Sequence, residues 1–266
     1  MKVAILQLPI EEGQIEKNLD NMSAMLKEAM NSTHRPDTVL LPELWNTGFY
    51  PHPISEYADS LDNWKNHMGR LASEYAVNLI AGSLPVNCNG HIYNTCYIFD
   101  RTGKNIASYD KIHLFSPSGE SKDFTAGNRI VTFVLDGLKC GIIICYDLRF
   151  PELCRKLALQ DISILFVAAA WPIERIQHLD TLLRARAIEN QFFVAAANGI
   201  SSHLGDTTHL GGGSAIYDPW GSLLVQGSTD KPDGEIIQAN LQPGVIAQIR
   251  SRINVFHDRR PELYRM

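Results

Sequence analysis

The predicted secondary-structure elements occur in the same order twice along the chain, and this repeat limits the possible folds more than any other feature. Each half reads strand, helix, strand, helix, strand and hairpin. The first set is predicted at 3–8, 15–29, 38–43, 61–75, 78–84 and 94–110. The second set is predicted at 139–147, 151–160, 162–170, 175–190, 192–199 and 213–227. Both hairpins turn within a related pattern, "IFDRTG" and "IYDPWG".

The hydrophobic pattern predicts how these elements form layers. The runs "VAILQL" at 3–8 and "ISILFVAAA" at 162–170 are apolar without alternation, as in strands that are buried on both faces. The predicted helices instead carry apolar residues three and four positions apart. Each half therefore forms a sheet with helices on one face, and the two sheets bury their bare faces together. The predicted fold is α/β, a four-layer α-β-β-α sandwich of two mixed sheets with an internal pseudo-two-fold repeat.

The alternative interpretation is two separate small α/β domains, which would require a linker between the halves. No Pro/Ser-rich or charged linker is found near 120–138. We therefore predict a single domain over 1–266, with residues from about 250 to 266 as a C-terminal arm.

Charge and cysteine usage exclude several classes of function. The net charge is -5 with no evident basic face, which argues against a nucleic-acid partner. The five cysteines (88, 96, 140, 145 and 154) are odd in number and lack metal-type spacing, as expected for free thiols in a reducing compartment. The start of the chain does not resemble a signal peptide, and no apolar run approaches the ~20 residues of a membrane helix. These features predict a soluble cytoplasmic protein without a metal site or a membrane partner.

Three reactive residue types occur at or near places where an apolar run stops. Glu43 ends "TVLLPE", Lys111 follows the first hairpin, and Cys145 ends "CGIIIC". In open α/β sheets, ligands bind beyond the carboxyl ends of strands. A carboxylate could accept a thiol proton, an ammonium could stabilise an oxyanion, and a thiolate could attack a carbonyl carbon. Position alone leaves open that Cys145 is a small buried apolar residue, as free cysteines often are.

Three motifs together resemble the carbon–nitrogen hydrolases of the nitrilase superfamily. These are "LLPELWNTGF" (40–49), "YDKIHLF" (109–115) and "GIIICYDLRFPEL" (141–153), in the order and at the spacing of that family. The resemblance extends over essentially the whole chain, including "AAAWP" (168–172) and "DPWG" (218–221). It implies an α-β-β-α sandwich, in agreement with the layers argued above.

The resemblance also implies roles for individual residues. Cys145 is expected to be the nucleophile, Glu43 the general base and acid, and Lys111 the group that stabilises the thiolate and the tetrahedral intermediate. The backbone N–H of Tyr146 would contribute to the oxyanion site. Glu120 matches a second glutamate of many members, although loop lengths vary here. No metal or organic cofactor is implied.

The family's subdivisions suggest the type of substrate. Nitrile-cleaving members usually have Cys-Trp-Glu at the nucleophile, whereas this chain has Cys-Tyr-Asp, which resembles the amidases. "CYDLRFPE" with "AWPIER" is most similar to the omega-amidases, which hydrolyse the terminal amide of small dicarboxylic acid monoamides. Two alternatives remain at this point: an amidohydrolase of N-carbamoyl compounds with the same triad, and a non-catalytic binding protein that retains the fold.

Arg175 is the candidate for binding the substrate carboxylate. It follows the strand at 162–170 and begins the next helix, where a cation and free backbone N–H groups would lie near Cys145. The alternative is a solvated residue in the first helical turn. Aromatic side chains are expected to wall the pocket, namely Trp45, Phe49, Tyr50 and Trp171.

Two further residues of these motifs are predicted to be structural. Arg149 is flanked by Asp147 and Glu152 as possible ion-pair partners, so we favour a structural role for it over substrate binding. His113 lies two positions from Lys111 and is predicted to be hydrogen-bonded scaffold.

The C-terminal segment 250–266, "RSRINVFHDRRPELYRM", is long, basic and aromatic for a tail. One interpretation is a solvated end that frays. We favour an arm that packs on the domain or reaches a partner subunit. Members of the resembled family commonly pair through helices on one outer face, so a two-fold homodimer is the expected assembly.

Overall fold

The computed structural model describes residues 1–49, 53–201 and 209–264. The first half contains β1 (Lys2–Gln7), β2 (Pro9–Ile10), α1 (Ile15–Asn31), β3 (Thr38–Leu40), β4 (Asp59–Ser60), α2 (Leu61–Glu74), β5 (Asn78–Ile80), β6 (Leu84–Cys88), β7 (His91–Phe99) and β8 (Asn105–Asp110). The second half contains β9 (Thr132–Leu135), β10 (Leu138–Ile144), α3 (Pro151–Ala158), β11 (Ile164–Ala169), α4 (Ile176–Asn190), β12 (Phe193–Asn198), β13 (Ile200–Ser201), β14 (Ala215–Tyr217), β15 (Leu223–Gln226), β16 (Glu235–Asn240) and α5 (Gly244–Arg252).

Two mixed sheets with matching strand orders form the centre of the molecule. In the first sheet, β1, β3 and β5 are parallel and are continued by the antiparallel β7 and β8, while β6 and β4 extend it beside β7. In the second sheet, β10, β11 and β12 are parallel and are continued by the antiparallel β14 and β15. The predicted repeat is therefore present in the topology as well as in the order of elements.

The outer strands show how the halves are joined. β9 pairs antiparallel with β10 at one edge of the second sheet. At the equivalent position in the first sheet, β16 pairs antiparallel with β1. A segment from the end of the chain thus completes the sheet formed by its beginning. Neither β16 nor the following α5 was predicted from the sequence.

The layers follow from the two faces of each apolar strand. Along β1, Val3 and Ile5 belong to the same buried cluster as the strands of the second sheet, so they point between the sheets. Their neighbours Ala4 and Leu6 belong to a second cluster that contains Met22 and Leu26 of α1 and therefore point outward to the helices. This is the arrangement expected for strands without alternating polarity, and the α-β-β-α prediction is confirmed.

Several predicted strands end earlier than their apolar runs. The predicted strand at 38–43 stops at Leu40, and the one at 139–147 stops at Ile144. The predicted strand at 78–84 divides into β5 and β6 because Gly82 adopts a φ of 63°. In each case the residues just beyond the strand contribute to the site described below. Among the described residues, no helix combines the length and apolar character that crossing a membrane requires.

Candidate active site

The three residues singled out at strand ends lie together between the sheets. Glu43 follows β3, and its backbone N–H donates to the carbonyl of Ala169 at the end of β11, at 3.2 Å. Lys111 directly follows β8, and its N–H donates to the carbonyl of Asn94 at 2.9 Å. Cys145 directly follows β10. All three side chains are buried, since the exposed fraction is 1% for Glu43, 0% for Lys111 and 8% for Cys145.

Cys145 lies on a sharp turn between strand and helix. Its φ is 46°, in the left-handed region that residues with a β-carbon rarely adopt. The turn begins a short 3-10 helix over Cys145–Arg149, and the N–H of Ile144 donates to Asp147 Oδ2 at 3.0 Å. Such strained positions persist when the surrounding structure over-determines them, and they cluster at functional sites. The Tyr146 N–H belongs to the first turn of this helix, where backbone donors have no intrahelical partner.

A buried ion cluster connects Glu43 to Glu120 through one ammonium group. Lys111 Nζ lies 2.8 Å from Glu43 Oε1 and 2.8 Å from Glu120 Oε2. Asn94 Nδ2 donates to the same two carboxylates, at 2.8 Å to Glu43 Oε1 and 3.2 Å to Glu120 Oε1. The structure therefore brings Glu120, which the sequence matched only loosely, into direct contact with Lys111. Asn94 was not predicted; it is a buried polar residue within β7.

The Glu43 carboxyl lies beside both the ammonium and the cysteine. Its Oε1 contacts Lys111 Nζ, while Oε2 is buried and accepts no hydrogen bond from a described donor. Glu43 and Cys145 are close enough for each group to influence the pKa of the other.

Burial is the largest single influence on the pKa of each of the three groups, although nearby charges outweigh it at Lys111. It raises the pKa of the Glu43 carboxyl in spite of Lys111, and the charge of Glu120 raises this pKa further. Burial alone would lower the pKa of Lys111, but the Glu43 and Glu120 carboxylates outweigh it and raise that pKa. Burial and the charge of Glu43 both raise the pKa of the Cys145 thiol, while Lys111 opposes them. The raised pKa favours the protonated thiol. The expected transfer of its proton to Glu43, with Lys111 stabilising the thiolate, stays a prediction.

Asp147 holds the cysteine turn against the lysine strand, a role that the sequence analysis missed. Its Oδ2 accepts from the Tyr109 hydroxyl at 2.6 Å, and its Oδ1 accepts from the backbone N–H of His113 at 2.9 Å. The His113 ring, 2.7 Å from Oδ1 through Nδ1, also stacks on Phe150 with ring centroids 3.6 Å apart. His113 is thus hydrogen-bonded scaffold, as predicted. Because these bonds occupy Asp147, it is not the ion-pair partner that we expected for Arg149.

A narrow pocket opens at Cys145. It is lined by Phe49, Phe115, Cys145, Tyr146, Arg149, Ala170, Trp171, Pro172 and Arg175. Phe49, Trp171 and Arg175 were predicted to lie here, whereas Tyr50 lies outside the described residues. The prediction for Trp45 was wrong, because its side chain is fully buried beneath the first sheet, with Nε1 donating to the carbonyl of Ala81 at 2.8 Å. In the part of the chain that the structure describes, no group of three or more His, Cys, Asp or Glu residues could hold a metal ion.

The fold and this site define the class of protein. The sequence model of the carbon–nitrogen hydrolase family matches residues 2–251, and the chain belongs to that family, within the nitrilase superfamily.

The chain is 38% identical over 266 residues to the 2-oxoglutaramate amidase of Bacillus subtilis (strain 168), covering 98% of each chain. It is 30% identical over 272 residues to omega-amidase NIT2 of Homo sapiens, covering 99% of this chain and 96% of that one. Among solved structures, Nit3 of Saccharomyces cerevisiae, a member of branch 10 of the nitrilase superfamily, superposes with a TM-score of 0.87 at 28% identity, covering 95% of this chain and 94% of that one. The chain is therefore a carbon–nitrogen hydrolase, similar to amidases and omega-amidases.

Proposed function

We propose that this enzyme hydrolyses the terminal amide of a small carboxylic acid monoamide and releases ammonia through a thioester on Cys145. The observation that carries the proposal is the buried cluster of Glu43, Lys111 and Glu120 facing the Cys145 thiol beside a pocket that also contains cationic side chains. The names of the relatives support the amide and the small acid.

In the first half of the reaction, the Glu43 carboxylate takes the thiol proton while the Cys145 sulfur attacks the amide carbon. The C=O double bond opens to an oxyanion, for which Lys111 and the Tyr146 N–H are the proposed donors. One such preorganised donor typically contributes about 3–4 kcal/mol. Protonated Glu43 then gives its proton to the amide nitrogen, the C–N bond breaks, and ammonia leaves a thioester on Cys145.

The second half reverses these proton transfers. Glu43, ionised again, removes a proton from a water molecule that attacks the thioester carbon. The tetrahedral intermediate collapses with cleavage of the C–S bond, the sulfur recovers its proton from Glu43, and the carboxylic acid is released. Glu120 does not exchange protons in this scheme. Its proposed role is positional, since its two oxygens hold Lys111 Nζ at 3.0 and 2.8 Å.

The test is a panel of small amides assayed for ammonia release. Cys145→Ala, Lys111→Ala and Glu43→Gln are each expected to lower kcat by at least roughly 10³-fold, and the triple variant should be little worse than the worst single variant because the residues act as a unit. Cys88→Ala is the matched control, because Cys88 is half-buried and lies in a different cavity. Acid quenching during turnover should yield an acyl adduct on the peptide that contains Cys145.

The outcomes separate the proposal from the alternatives. Release of carbon dioxide together with ammonia would indicate an N-carbamoyl substrate instead. An active Cys145→Ala enzyme would overturn the mechanism. Absence of turnover on every amide, with no preferential labelling of Cys145 by a thiol reagent, would favour a binding protein. Cys140 and Cys154 are suitable references for labelling, because burial raises the pKa of each to about 12.

Arg175 is the proposed partner of the substrate carboxylate. Its guanidinium lines the pocket and lies 5.6 Å from the centroid of the Phe115 ring. Arg175→Ala is expected to lower the ratio of kcat/KM for a monoamide acid to that for a neutral amide by roughly 10- to 150-fold, the equivalent of about 1.5–3 kcal/mol for a charge-assisted pair. Arg184→Ala, on the helix that follows Arg175 but outside the pocket, should leave the ratio unchanged. Equal losses on both substrates would remove Arg175 from carboxylate binding.

A further inference from the structure

A second cavity lies on the outer face of the first sheet, away from Cys145. Its floor is formed by alternate residues of three neighbouring strands, which share one face of the sheet. These include Val86 of β6, Thr95 and Tyr97 of β7, and Ser108 and Asp110 of β8. The segment 126–129, which ends at Arg129, borders the same cavity.

The cavity and the catalytic cluster use opposite faces of the same strand pair. Thr95 and Asp110 are directly opposed in β7 and β8, and the Thr95 hydroxyl donates to Asp110 Oδ1 at 2.7 Å. Their chain neighbours Asn94 and Lys111 donate to Glu43 on the other face. A molecule in the second cavity would therefore lie against the back of the catalytic strands without contacting the catalytic carboxylate.

This cavity carries one charge of each sign, and the two do not neutralise each other. Asp110 is half-buried, and its carboxylate accepts a hydrogen bond from the neutral Thr95 hydroxyl. Arg129 is exposed at the border of the cavity. Within the described parts of the chain, no ion pair involves either side chain. Since no contact joins the two charges, a molecule placed between them could meet both.

Apolar and aromatic side chains supply much of the remaining surface. Val86 and Tyr97 are buried and belong to the cluster on the helix side of the first sheet. The Tyr93 side chain is half-buried and lines the same cavity. Small-molecule sites typically combine apolar and aromatic walls with a few polar groups that fix the orientation of the ligand. The lining of this cavity has that composition.

We infer that this cavity is a second binding site, separate from the catalytic pocket, for a zwitterionic α-amino acid with an apolar side chain. The Asp110 carboxylate would bind the ammonium group. The Arg129 guanidinium would bind the carboxylate, to which it can donate two parallel hydrogen bonds. The apolar side chain would pack against Val86 and Tyr93. The inference does not depend on the function proposed above, because none of these residues takes part in it.

Three matched ligands test the requirement for both charges. They are L-leucine, 4-methylpentanoate, which lacks the ammonium group, and 3-methylbutan-1-amine, which lacks the carboxylate. In calorimetry with the Cys145→Ala variant, L-leucine should bind. The other two should each bind at least about tenfold more weakly, because each leaves one charge of the cavity without a partner.

Variants of the two charged residues test the same requirement from the protein side. Asp110→Asn keeps an oxygen for the Thr95 hydroxyl but removes the charge, and Arg129→Gln removes the opposite charge at an exposed position. Each should weaken L-leucine binding at least about tenfold. Arg252→Gln is the matched control, since Arg252 is exposed at the end of α5 and does not line the cavity. Arg175→Gln should also leave L-leucine binding unchanged.

Cys88 reports occupancy of the cavity directly. It lines the cavity and is partly accessible, whereas the other four cysteines are buried. In the Cys145→Ala variant, L-leucine should slow the labelling of Cys88 by N-ethylmaleimide, and 4-methylpentanoate at the same concentration should not.

Four results would overturn the inference. The first is no binding of L-leucine, and the second is equal binding of the three ligands. The third is L-leucine binding that survives Asp110→Asn and Arg129→Gln together. The fourth is binding that is lost in Arg175→Gln while Cys88 is labelled at an unchanged rate, because this would place the amino acid in the catalytic pocket.

Discussion

At the scale of single residues, the site holds two carboxylates and one ammonium that are almost completely buried. Buried charges are tolerated only when they are paired and hydrogen-bonded. Lys111 meets both requirements with Glu43 and Glu120, and Asn94 adds a donor to each carboxylate. The arrangement nevertheless leaves the pKa of Glu43 raised. A raised carboxyl pKa means that the ionised form is less stable in the folded chain than in the unfolded one.

This imbalance predicts opposite effects of two substitutions on stability at neutral pH. Glu43→Gln replaces an unfavourable buried charge by a neutral amide, so the thermal midpoint should stay the same or rise although turnover is lost. Lys111→Ala leaves two carboxylates without a cation and should cost about 3–5 kcal/mol. Calorimetric unfolding of both variants checks the contrast. A Glu43→Gln variant less stable than Lys111→Ala would contradict it.

The raised pKa values of Glu43 and Lys111 also predict the pH profile of kcat/KM. Glu43 must be ionised to take the thiol proton, and its pKa is raised above the ordinary carboxyl value of 4.5. Activity should therefore fall as the pH decreases through that raised pKa, which places the acid limb above pH 4.5. Lys111 should keep its charge beyond its ordinary value of 10.5, so it contributes no alkaline limb near neutrality. An acid limb below pH 4.5, or a loss of activity just above neutrality, would be inconsistent with this assignment.

At the scale of elements, the turn after β5 holds the segment that carries Glu43. The backbone N–H of Ser83 donates to the Pro42 carbonyl at 3.0 Å, and Ser83 Oγ accepts from the N–H of Leu44 at 3.1 Å. Gly82, which directly precedes Ser83, has a φ of 63°. A β-carbon at this position would lie 2.1 Å from the Pro42 carbonyl oxygen. The position of Glu43 therefore depends on a glycine in another strand connection.

Two glycine-to-alanine variants distinguish the steric contact with Pro42 from the general cost of a positive φ in a residue with a β-carbon. Gly90 also has a positive φ, of 84°, but a β-carbon there would meet nothing within 4 Å. Gly90→Ala should cost only the conformational term, about 1 kcal/mol, with normal activity. Gly82→Ala should cost clearly more and should also lower kcat, because it displaces Pro42 next to Glu43. Thermal unfolding and ammonia release measure both, and equal behaviour of the two variants would refute the role of Gly82.

At the scale of the whole molecule, an edge strand from the second half of the chain completes the sheet of the first half. β16 belongs by sequence to the second half but pairs with β1 over six residue pairs, from Lys2 with Asn240 to Gln7 with Glu235. The interior between the sheets draws residues from both halves. We propose on these grounds that residues 1–266 form one domain, which should unfold in one transition by circular dichroism and by tryptophan fluorescence.

The C-terminal arm lies at least partly on the body of the protein. Gln191 Nε2 donates to the carbonyl of Ile253 at 2.7 Å, and Phe256 lies 4.7 Å from Arg250 Cζ and 5.5 Å from Arg155 Cζ. Two apolar side chains of the arm remain exposed, with accessible fractions of 48% for Ile253 and 67% for Leu263. These contacts agree with an arm that packs on the domain.

The homodimer remains a prediction. The chain mass is 29.7 kDa, and light scattering at micromolar concentration should give twice that value. If the arm reaches a partner subunit, a chain shortened before Ile253 should dissociate more readily than the full chain. A single-chain mass for the full-length protein would exclude the dimer.

The sequence by itself determined the layers and the repeat, and it selected the candidate reactive residues. Unbroken apolar runs report burial on both faces of a strand, and a residue that ends such a run lies at the sheet edge where sites form. Glu43, Lys111 and Cys145 could therefore be selected before the structure was known. Short motifs then specified the family, because several motifs in fixed order are far more specific than one.

Only the tertiary structure decided which distant groups meet. Asp147 and Glu152 were the possible ion-pair partners expected for Arg149. Asp147 instead bonds to Tyr109 and His113, while Arg149 lies on the face of Trp171. Trp45 was expected among the aromatic residues that wall the pocket, yet its side chain points into the core on the helix side of the first sheet. Periodicity reports whether a residue is buried. The direction of a side chain at a turn and its partner from another strand depend on how the two sheets pack, and no local pattern encodes that packing.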